Sequence, residues 1–400
     1  MQSQQIAVTG FSKRQSQQIA VTGFSERTFE KTLGQSSVDL GHPAAELVLP
    51  SPRVHARKDP SYLAGFHVKP MFDLFKQQYA SLKNKSDNCS EQIGKSRNLV
   101  YALANGYNTS VVTRFVASLR MTGCTADIVL LRDTQLDLEF EQTCNVFLDI
   151  VNASLVRSNP QFAYGKTSHH GLIRLRHIAL GNYLERNWER YRCGRVLSAD
   201  FRDAFFQLDP FEFMPNLAQH AAWLADEGAL YTNNYQRWAV ARAAQCFRGN
   251  AGQKYISSLD TPIINIGAMM MKPAAAIIIG KAIFSLGSEC NKRFTKTPPD
   301  QALLNFLYYS GTFHEMNVPI RVFPAAASPI CHLAYARFGG GVIQNEKIKK
   351  KYKFSNPVRN ELGNVCAIVH MYDRHGHFFE TALSDLKKKN CERLGHSASD

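Results

Sequence analysis

One stretch of this sequence decides how we interpret the fold: Leu197-Ser-Ala-Asp-Phe-Arg-Asp-Ala-Phe-Phe-Gln-Leu-Asp-Pro-Phe211. Residues 195–198 form a short run that predicts a strand. Ligands of α/β sheets bind beyond the carboxyl ends of strands, so Asp200, Arg202 and Asp203 are expected at the ligand-binding edge. Carboxylates at such an edge can hold a hard divalent cation through oxygen. Aspartate is also common in turns that follow strands, so a simple capped turn is the competing interpretation.

The segments around this stretch alternate between apolar runs and helical patterns. Leu99–Ala104 and Asp127–Leu131 predict buried strands, and Val111–Met121 between them predicts a helix. Farther on, residues 171–192 predict one long helix and Thr261–Ile264 predicts another strand. An order of strand, helix and strand normally builds a parallel sheet with right-handed crossovers. We therefore predict an α/β fold with a mostly parallel central sheet flanked by helices.

The composition divides the chain into three regions. Residues 1–95 are mixed and polar, with five prolines between residues 43 and 70 and a tandem repeat in which Gln2–Arg14 is followed by a near copy. A short helix over 71–82 is the one regular element expected there. We predict a largely disordered N-terminal extension over 1–95, an α/β domain over 96–380 and a basic tail over 381–400.

The formal net charge of +14 raises the question of a nucleic-acid partner. Much of the excess lies in two short runs, Lys347–Lys353 and Lys387–Lys389, and such runs are usually solvated faces or tails. The remaining Arg and Lys residues form no recognisable nucleic-acid module. A basic protein is equally suited to an anionic small substrate such as a nucleotide diphosphate. We therefore predict no nucleic-acid partner, with binding through the lysine runs as the less favoured alternative.

The sequence carries few signals about the cellular compartment. Its nine cysteines contain no Cys-x-x-Cys pair, and the odd number leaves at least one thiol unpaired. Sequons that would permit glycosylation in a secretory compartment occur at Asn84, Asn88, Asn108 and Asn152. The apolar segment Ile263–Ile279 is interrupted by polar residues and prolines, so we predict a buried strand and helix there. No signal peptide, anchor or membrane span is visible in this chain.

The segment Asp200–Phe211 resembles a signature found in eukaryotic GT-A-like glycosyltransferases that use nucleotide-diphospho-sugars, Asp-x-Arg-Asp-x-x-Phe-Gln-x-Asp-Pro-Phe. The resemblance extends to a late His-x-Tyr-Asp-Arg motif at His370–Arg374. Further matching segments are Gly106–Asn108, Phe115–Arg120, Asn265–Gly267, and Asp300-Gln301 with Asn305. The resemblance implies a GT-A-like fold over the α/β domain.

The resemblance also implies a donor site. It assigns a metal and diphosphate site to Asp200, Asp203 and His370, where carboxylates and an imidazole would hold Mn²⁺, or alternatively Mg²⁺. The remaining residues of the implied nucleotide-sugar site are Asn105, Gly106, Tyr107, Asn108, Asn265, Gly267, Gln301 and Arg374.

Two positions depart from the usual GT-A pattern. Arg202 occupies a position that usually carries a carboxylate. Either Asp203 replaces that ligand, or Arg202 pairs with the diphosphate directly and reduces the need for a cation. Met371 stands where the related motif commonly has Gln, which removes one polar contact.

Asp300 and Arg202 are the candidate catalytic residues. Asp300 either caps the helix predicted over 302–309 or reaches the donor sugar or the acceptor hydroxyl, where it would act as a general base in an inverting enzyme.

The expected activity is transfer of a sugar, a hexose or a related one, from a nucleotide-diphosphate donor to a hydroxyl of a glycan, protein or lipid. The alternative is a catalytically inactive binding protein that keeps the GT-A fold, because Arg202 and Met371 alter the metal shell. The resemblance implies work in the Golgi lumen.

Overall fold

The computed structural model describes residues 68–87, 96–104, 107, 109–132, 146–150, 169–213, 220–230, 246, 261–293, 298–333, 358–360 and 362–371, all within the compact unit His55–Asp400. The helices are α1 Lys69–Asp87, α2 Thr109–Met121, α3 His169–Arg186, α4 Trp188–Tyr191, α5 Pro210–Phe213, α6 Pro273–Arg293, α7 Asp300–Tyr309 and α8 Thr312–Glu315. The strands are β1 Leu99–Leu103, β2 Asp127–Arg132, β3 Val146–Ile150, β4 Val196–Ala199, β5 Ala204–Phe206, β6 Ala222–Leu230, β7 Pro262–Ile264, β8 Ala268–Met271, β9 Ile320–Phe323, β10 Ile330–His332 and β11 Ile368–His370.

The larger sheet has eight strands in the order β3-β2-β1-β4-β8-β6-β7, with β9 also paired to β6. Strands β1 to β4 pair in parallel, β8 runs against β4, and β6 runs against β8. Strand β9 is parallel to β6 and β7 is antiparallel to it, so only β7 and β8 oppose the other six. The predicted α/β class with a mostly parallel central sheet is confirmed.

The first strand, helix and strand form as their apolar patterns predict. Strands β1 and β2 are buried almost throughout, which explains why their sequences are continuous apolar runs and not alternating ones. Helix α2 ends where Gly123 adopts a φ of +81°, a conformation that residues with side chains rarely take. This arrangement brings the carboxyl ends of β1 and β4 to the same edge of the sheet.

A second sheet has three strands in the order β10-β11-β5. Strand β11 is parallel to β10 and antiparallel to β5, and its register pairs His370 with His332 on one side and with Ala204 on the other. Strand β5 starts directly after Asp203. Because β11 pairs with β5, the end of β11 lies next to the residues that follow β4. The smaller sheet therefore brings together distant parts of the chain at one place.

Helices α3 and α6 pack closely against each other and against the larger sheet. Burying each Leu or Ile side chain in this layer contributes about 1.5–3 kcal/mol. The backbones approach at Gly280, where an added Cβ would lie 2.3 Å from the carbonyl oxygen of His177. Helix α6 is long and apolar enough to cross a membrane by length and composition, yet 72% of its window Pro273–Cys290 is buried inside the protein.

The prediction of one continuous helix over residues 171–192 is wrong at one point, because the helix is interrupted at Asn187. Both the backbone N–H and the side-chain Nδ2 of Asn187 donate to the carbonyl oxygen of Tyr183, at 3.0 and 2.9 Å. Helix α3 therefore ends at Arg186, and α4 forms a separate turn over Trp188–Tyr191.

Helix α1 lies before the boundary predicted at residue 96, and its helix prediction over 71–82 is confirmed over a longer span. Its apolar face, with Phe72, Phe75 and Tyr79, is buried against the α6 layer. Asn84 on this helix is exposed. The predictions for residues 1–67 and for the tail over 381–400 lie outside the described residues.

Disulfide bonds join Cys246 to Cys290 and Cys331 to Cys366, and Cys193 is also disulfide-bonded. Cys124 is buried and free, in keeping with the odd number of cysteines.

Candidate functional site

Asp200, Asp203 and His370 converge at the carboxyl end of β4. Their ligand atoms all lie within 4.8 Å of one another, and His370 Nε2 is 3.3 Å from Asp200 Oδ2. Asp200 directly follows β4, Asp203 directly precedes β5, and His370 ends β11, which pairs with β5. Two carboxylates and an imidazole of this kind form a donor set suited to a divalent metal ion such as Mn²⁺.

Gly267 leaves the space that this cluster needs. Its carbonyl oxygen accepts the backbone N–H of Asp200 at 2.6 Å. A Cβ at this position would lie 2.2 Å from His370 Nε2 and 2.8 Å from Asp200 Oδ2. Any other residue would therefore clash with the two side chains, which explains why a glycine stands here.

Arg202 lies beside the cluster and contacts one of its carboxylates. Its Nε donates to Asp203 Oδ1 at 2.8 Å, while 48% of its side chain is exposed and 12% of the Asp203 side chain is. Asp203 therefore lies within the candidate donor set, and the Arg202 side chain is half-exposed beside it.

Asp300 is the buried centre of a second charged group. It is the first residue of α7, and its Oδ1 accepts the N–H of Gln301 at 2.9 Å. Its Oδ2 accepts Arg176 Nη2 at 3.1 Å and lies 2.9 Å from His177 Nε2. Arg176 also pairs through Nη1 with Asp200 Oδ1. A single guanidinium therefore joins Asp300 to the Asp200 cluster.

Burial and charge set the protonation of this group. Burial alone would raise the pKa of Asp300, but the Arg176 charge and the His177 hydrogen bond outweigh it and lower that pKa to about 2. Burial lowers the pKa of His177. Asp300 is therefore an ionised carboxylate and His177 a neutral imidazole near pH 7.

Asn265 stabilises the backbone at Gly267, next to the cluster. Its side chain is fully buried, and its Oδ1 accepts the N–H of Gly267 at 2.6 Å. Its Nδ2 donates to Glu227 Oε1 at 2.7 Å, and Gln301 Nε2 donates to the same oxygen at 3.0 Å. With both ends of its amide occupied, Asn265 acts on the site through the Gly267 backbone. Asn305 holds the preceding strand, donating to the carbonyl oxygen of Ile264 at 2.7 Å.

His332 lies behind His370. The two Nδ1 atoms are 2.9 Å apart, and the rings meet edge to face with their centroids 5.0 Å apart. Burial, and then the neighbouring His370, lower the pKa of His332 well below its usual value. The Nε2 atom of His332 is buried and has no hydrogen-bond partner among the described residues.

The predicted nucleotide loop is described only at Tyr107. Its ring packs on Phe201, the residue that follows Asp200, with the ring centroids 5.6 Å apart. Asn105, Gly106, Asn108 and Arg374 lie outside the described residues. Met371 adopts a φ of +63° and donates its backbone N–H to the Asp203 carbonyl oxygen at 2.7 Å.

Sequence reasoning missed Arg176, His177, Glu227 and His332. Arg176 and His177 lie between the apolar positions Leu175 and Ile178 of a helical segment, and polar residues at such positions were the available signal. Glu227 and His332 lie in strands whose pairing partners are distant in the chain, and no local pattern marks them.

No family model matches the chain, and no curated protein matches it. Among solved structures it is similar to the glycosyltransferase GlyE of Streptococcus pneumoniae TIGR4, at 11% identity and a TM-score of 0.41 over 76% of this chain and 63% of GlyE. It is also similar to the galactosyltransferase LgtC in complex with donor and acceptor sugar analogues, at 13% identity and a TM-score of 0.40 over 75% of this chain and 95% of LgtC. A third similar structure is the bifunctional glycosyltransferase WbbM, at 9% identity and 0.40, over 73% of this chain and 52% of WbbM.

Proposed function

We propose that this chain is a glycosyltransferase that moves a sugar from a nucleotide-diphosphate donor to a hydroxyl acceptor. The observation that carries the proposal is the convergence of Asp200, Asp203 and His370 from three separate segments. Such a cluster lies where α/β proteins bind ligands, beyond the carboxyl end of a central strand. The Asp200–Phe211 motif, which resembles the GT-A-like signature, supports the same assignment.

The donor set fits a divalent cation. Two carboxylates supply oxygen ligands, and the imidazole favours Mn²⁺ over Mg²⁺, which prefers an all-oxygen shell. Asp200, Asp203 and His370 would hold the cation, and the absence of a side chain at Gly267 keeps the place open. A bound cation supplies Lewis-acid stabilisation of the negative charge that develops on the departing diphosphate.

Arg202 has two tasks in this proposal. Its Nε contact fixes the Asp203 carboxylate in the cluster, and its half-exposed guanidinium would lie beside a phosphate oxygen of a donor bound there. Guanidinium groups bind phosphate through paired N–H donors, so Arg202 would add to the stabilisation of the leaving group.

Asp300 is better suited to stabilising a neighbouring positive charge than to accepting a proton. A general base works best with a pKa near the working pH, whereas the pKa of Asp300 is about 2. Its carboxylate is instead occupied by Arg176, His177 and its own helix N-terminus. We therefore assign Asp300 to holding Arg176 against the Asp200 cluster.

The compartment forms part of the proposal. Disulfides persist in oxidising environments and are rare in the cytosol. The pairs Cys246–Cys290 and Cys331–Cys366 therefore support work in the lumen of the secretory pathway, such as the Golgi.

Calorimetry with UDP and GDP, each with and without Mn²⁺, tests the proposal. We expect binding of one diphosphate that Mn²⁺ strengthens, and a loss of that strengthening in Asp203→Asn because the cluster loses a charged ligand. Asp73→Asn is the matched control, since Asp73 is an exposed carboxylate on α1. No heat of binding with folded wild-type protein would overturn the proposal.

Donor hydrolysis separates an active enzyme from an inactive binding protein. An active enzyme releases free nucleotide diphosphate from its sugar donor, and Asp203→Asn abolishes that release while the fold survives. Binding without any release, across a panel of nucleotide sugars, would favour the inactive alternative.

A further inference from the structure

We propose that His332 is a positioning residue that sets the tautomer and orientation of His370, so that His370 Nε2 presents its lone pair to the cation. This inference rests on the proposed function, because it concerns the same cluster. His332 meets His370 at Nδ1, whereas Asp200 lies at the opposite ring nitrogen, Nε2.

The geometry of the two strands places the rings in contact. Strands β10 and β11 pair in parallel with His332 opposite His370, so their side chains project from the same face of the smaller sheet. The disulfide between Cys331 and Cys366 ties the residue before His332 to the segment that leads into β11. The position of His332 is therefore fixed by a strand register and by a covalent link.

A contact of 2.9 Å between two Nδ1 atoms requires one hydrogen between them. With both rings neutral, two arrangements satisfy this requirement. In the first, His332 donates and His370 carries its own proton on Nε2, facing Asp200 Oδ2 at 3.3 Å. In the second, His370 donates from Nδ1 and its Nε2 is deprotonated. Only the second arrangement leaves Nε2 able to bind a metal ion, and it requires His332 to accept.

The second arrangement defines the protonation of His332 as well. Its remaining proton is then on Nε2, which is buried and without a hydrogen-bond partner among the described residues. A buried N–H of this kind costs free energy, so packing and the neighbouring disulfide, and not a further hydrogen bond, must hold the ring.

Titration of the protein with Mn²⁺, without any nucleotide, tests the inference. Binding is measured as the loss of the free-ion signal in electron paramagnetic resonance. His332→Phe keeps a ring but removes the acceptor, and we expect it to weaken Mn²⁺ affinity about 10- to 100-fold, the usual effect of losing a partner behind a metal ligand. His332→Leu is the second variant without an acceptor, in case the phenylalanine ring is not accommodated.

His332→Asn restores the interaction, because its Oδ1 can occupy about the position of the histidine Nδ1 and accept from His370. We expect its Mn²⁺ affinity to be closer to wild type than that of either variant without an acceptor. If His332 had a purely structural role, the Mn²⁺ affinities of the variants would instead follow the order of their unfolding midpoints. His314→Leu is the matched control, since His314 is exposed on α8 and distant from the cluster in the chain.

The possible failures are distinguishable. If His370→Ala loses Mn²⁺ while folded His332→Phe and His332→Leu bind it as tightly as wild type, the inference is overturned and the proposed cation site stands. The same holds if His332→Asn is as weak as His332→Leu. If wild-type protein itself binds no Mn²⁺, the proposed cation site fails, and with it the role of His332.

Discussion

Arg176 shows how one residue can link two parts of a site. Its guanidinium pairs with Asp200 through Nη1 and with Asp300 through Nη2, and only 6% of its side chain is exposed. A buried charge is tolerated only when it is paired and hydrogen-bonded. The network therefore holds the Asp200 carboxylate in place before any ligand arrives, a form of preorganisation that lowers the cost of binding.

Replacing Asp300 should reveal the strength of this network. At pH 7 we expect Asp300→Asn to lower the free energy of unfolding by about 3–5 kcal/mol, because one partner of a buried ion pair is lost. The pKa of Asp300 is about 2 when folded and about 3.9 when unfolded, so its contribution is complete above about pH 4 and disappears as the pH falls through 2.

Denaturant unfolding of wild type and Asp300→Asn between pH 7 and pH 2 measures this effect. The difference between the two proteins should shrink only at the acid end. Asp73→Asn, on an exposed pair, should stay within about 0.5 kcal/mol of wild type throughout. A difference that is the same at pH 2 and pH 7 would contradict the assigned role of Asp300.

At the scale of elements, the contact between α3 and α6 holds Arg176 and His177 in place. Helix α6 reaches the α3 backbone at Gly280, beside the carbonyl of His177. A second glycine, Gly181, faces α6 from the other helix, and a Cβ there would lie 3.5 Å from the Ile277 Cα, an ordinary contact. These two glycines provide a matched pair for testing the interface.

We expect opposite results from the two glycine-to-alanine changes. Gly280→Ala places a Cβ 2.3 Å from a backbone oxygen, so the helices must separate, at a cost of about 1–3 kcal/mol in unfolding free energy. Gly181→Ala meets no close atom and gains up to about 1 kcal/mol from the higher helix propensity of alanine. Thermal unfolding of both variants measures the difference. Equal effects would contradict the close approach at Gly280.

The sequence predicted the elements whose patterns are local. Strands β1 and β2 and helix α2 follow from continuous apolar runs and a helical repeat, and the short apolar run before Asp200 predicted that Asp200 and Asp203 follow a strand. It did not predict the pairing of β5, β10 and β11, because those contacts join residues far apart in the chain. His370 was placed through a resemblance, whereas its partner His332 depends on a strand register that no local pattern encodes.

On the scale of the whole molecule, the site exists because two sheets meet. The larger sheet supplies Asp200 at the end of β4, and the smaller sheet returns His370 to it through β11. Tyr107, which follows β1, lies at the same edge in contact with Phe201. A donor held there would lie between residues that are separated by most of the chain.

Electron–nuclear double resonance on Mn²⁺ bound to the protein with UDP tests the central claim most directly. We predict coupling of the metal both to phosphorus nuclei of the diphosphate and to a nitrogen nucleus, with the nitrogen coupling lost in His370→Ala. Free Mn²⁺ with UDP in solution shows phosphorus without imidazole nitrogen and serves as the reference. A protein-bound spectrum identical to that reference, or unchanged in His370→Ala, would contradict a cation held by Asp200, Asp203 and His370.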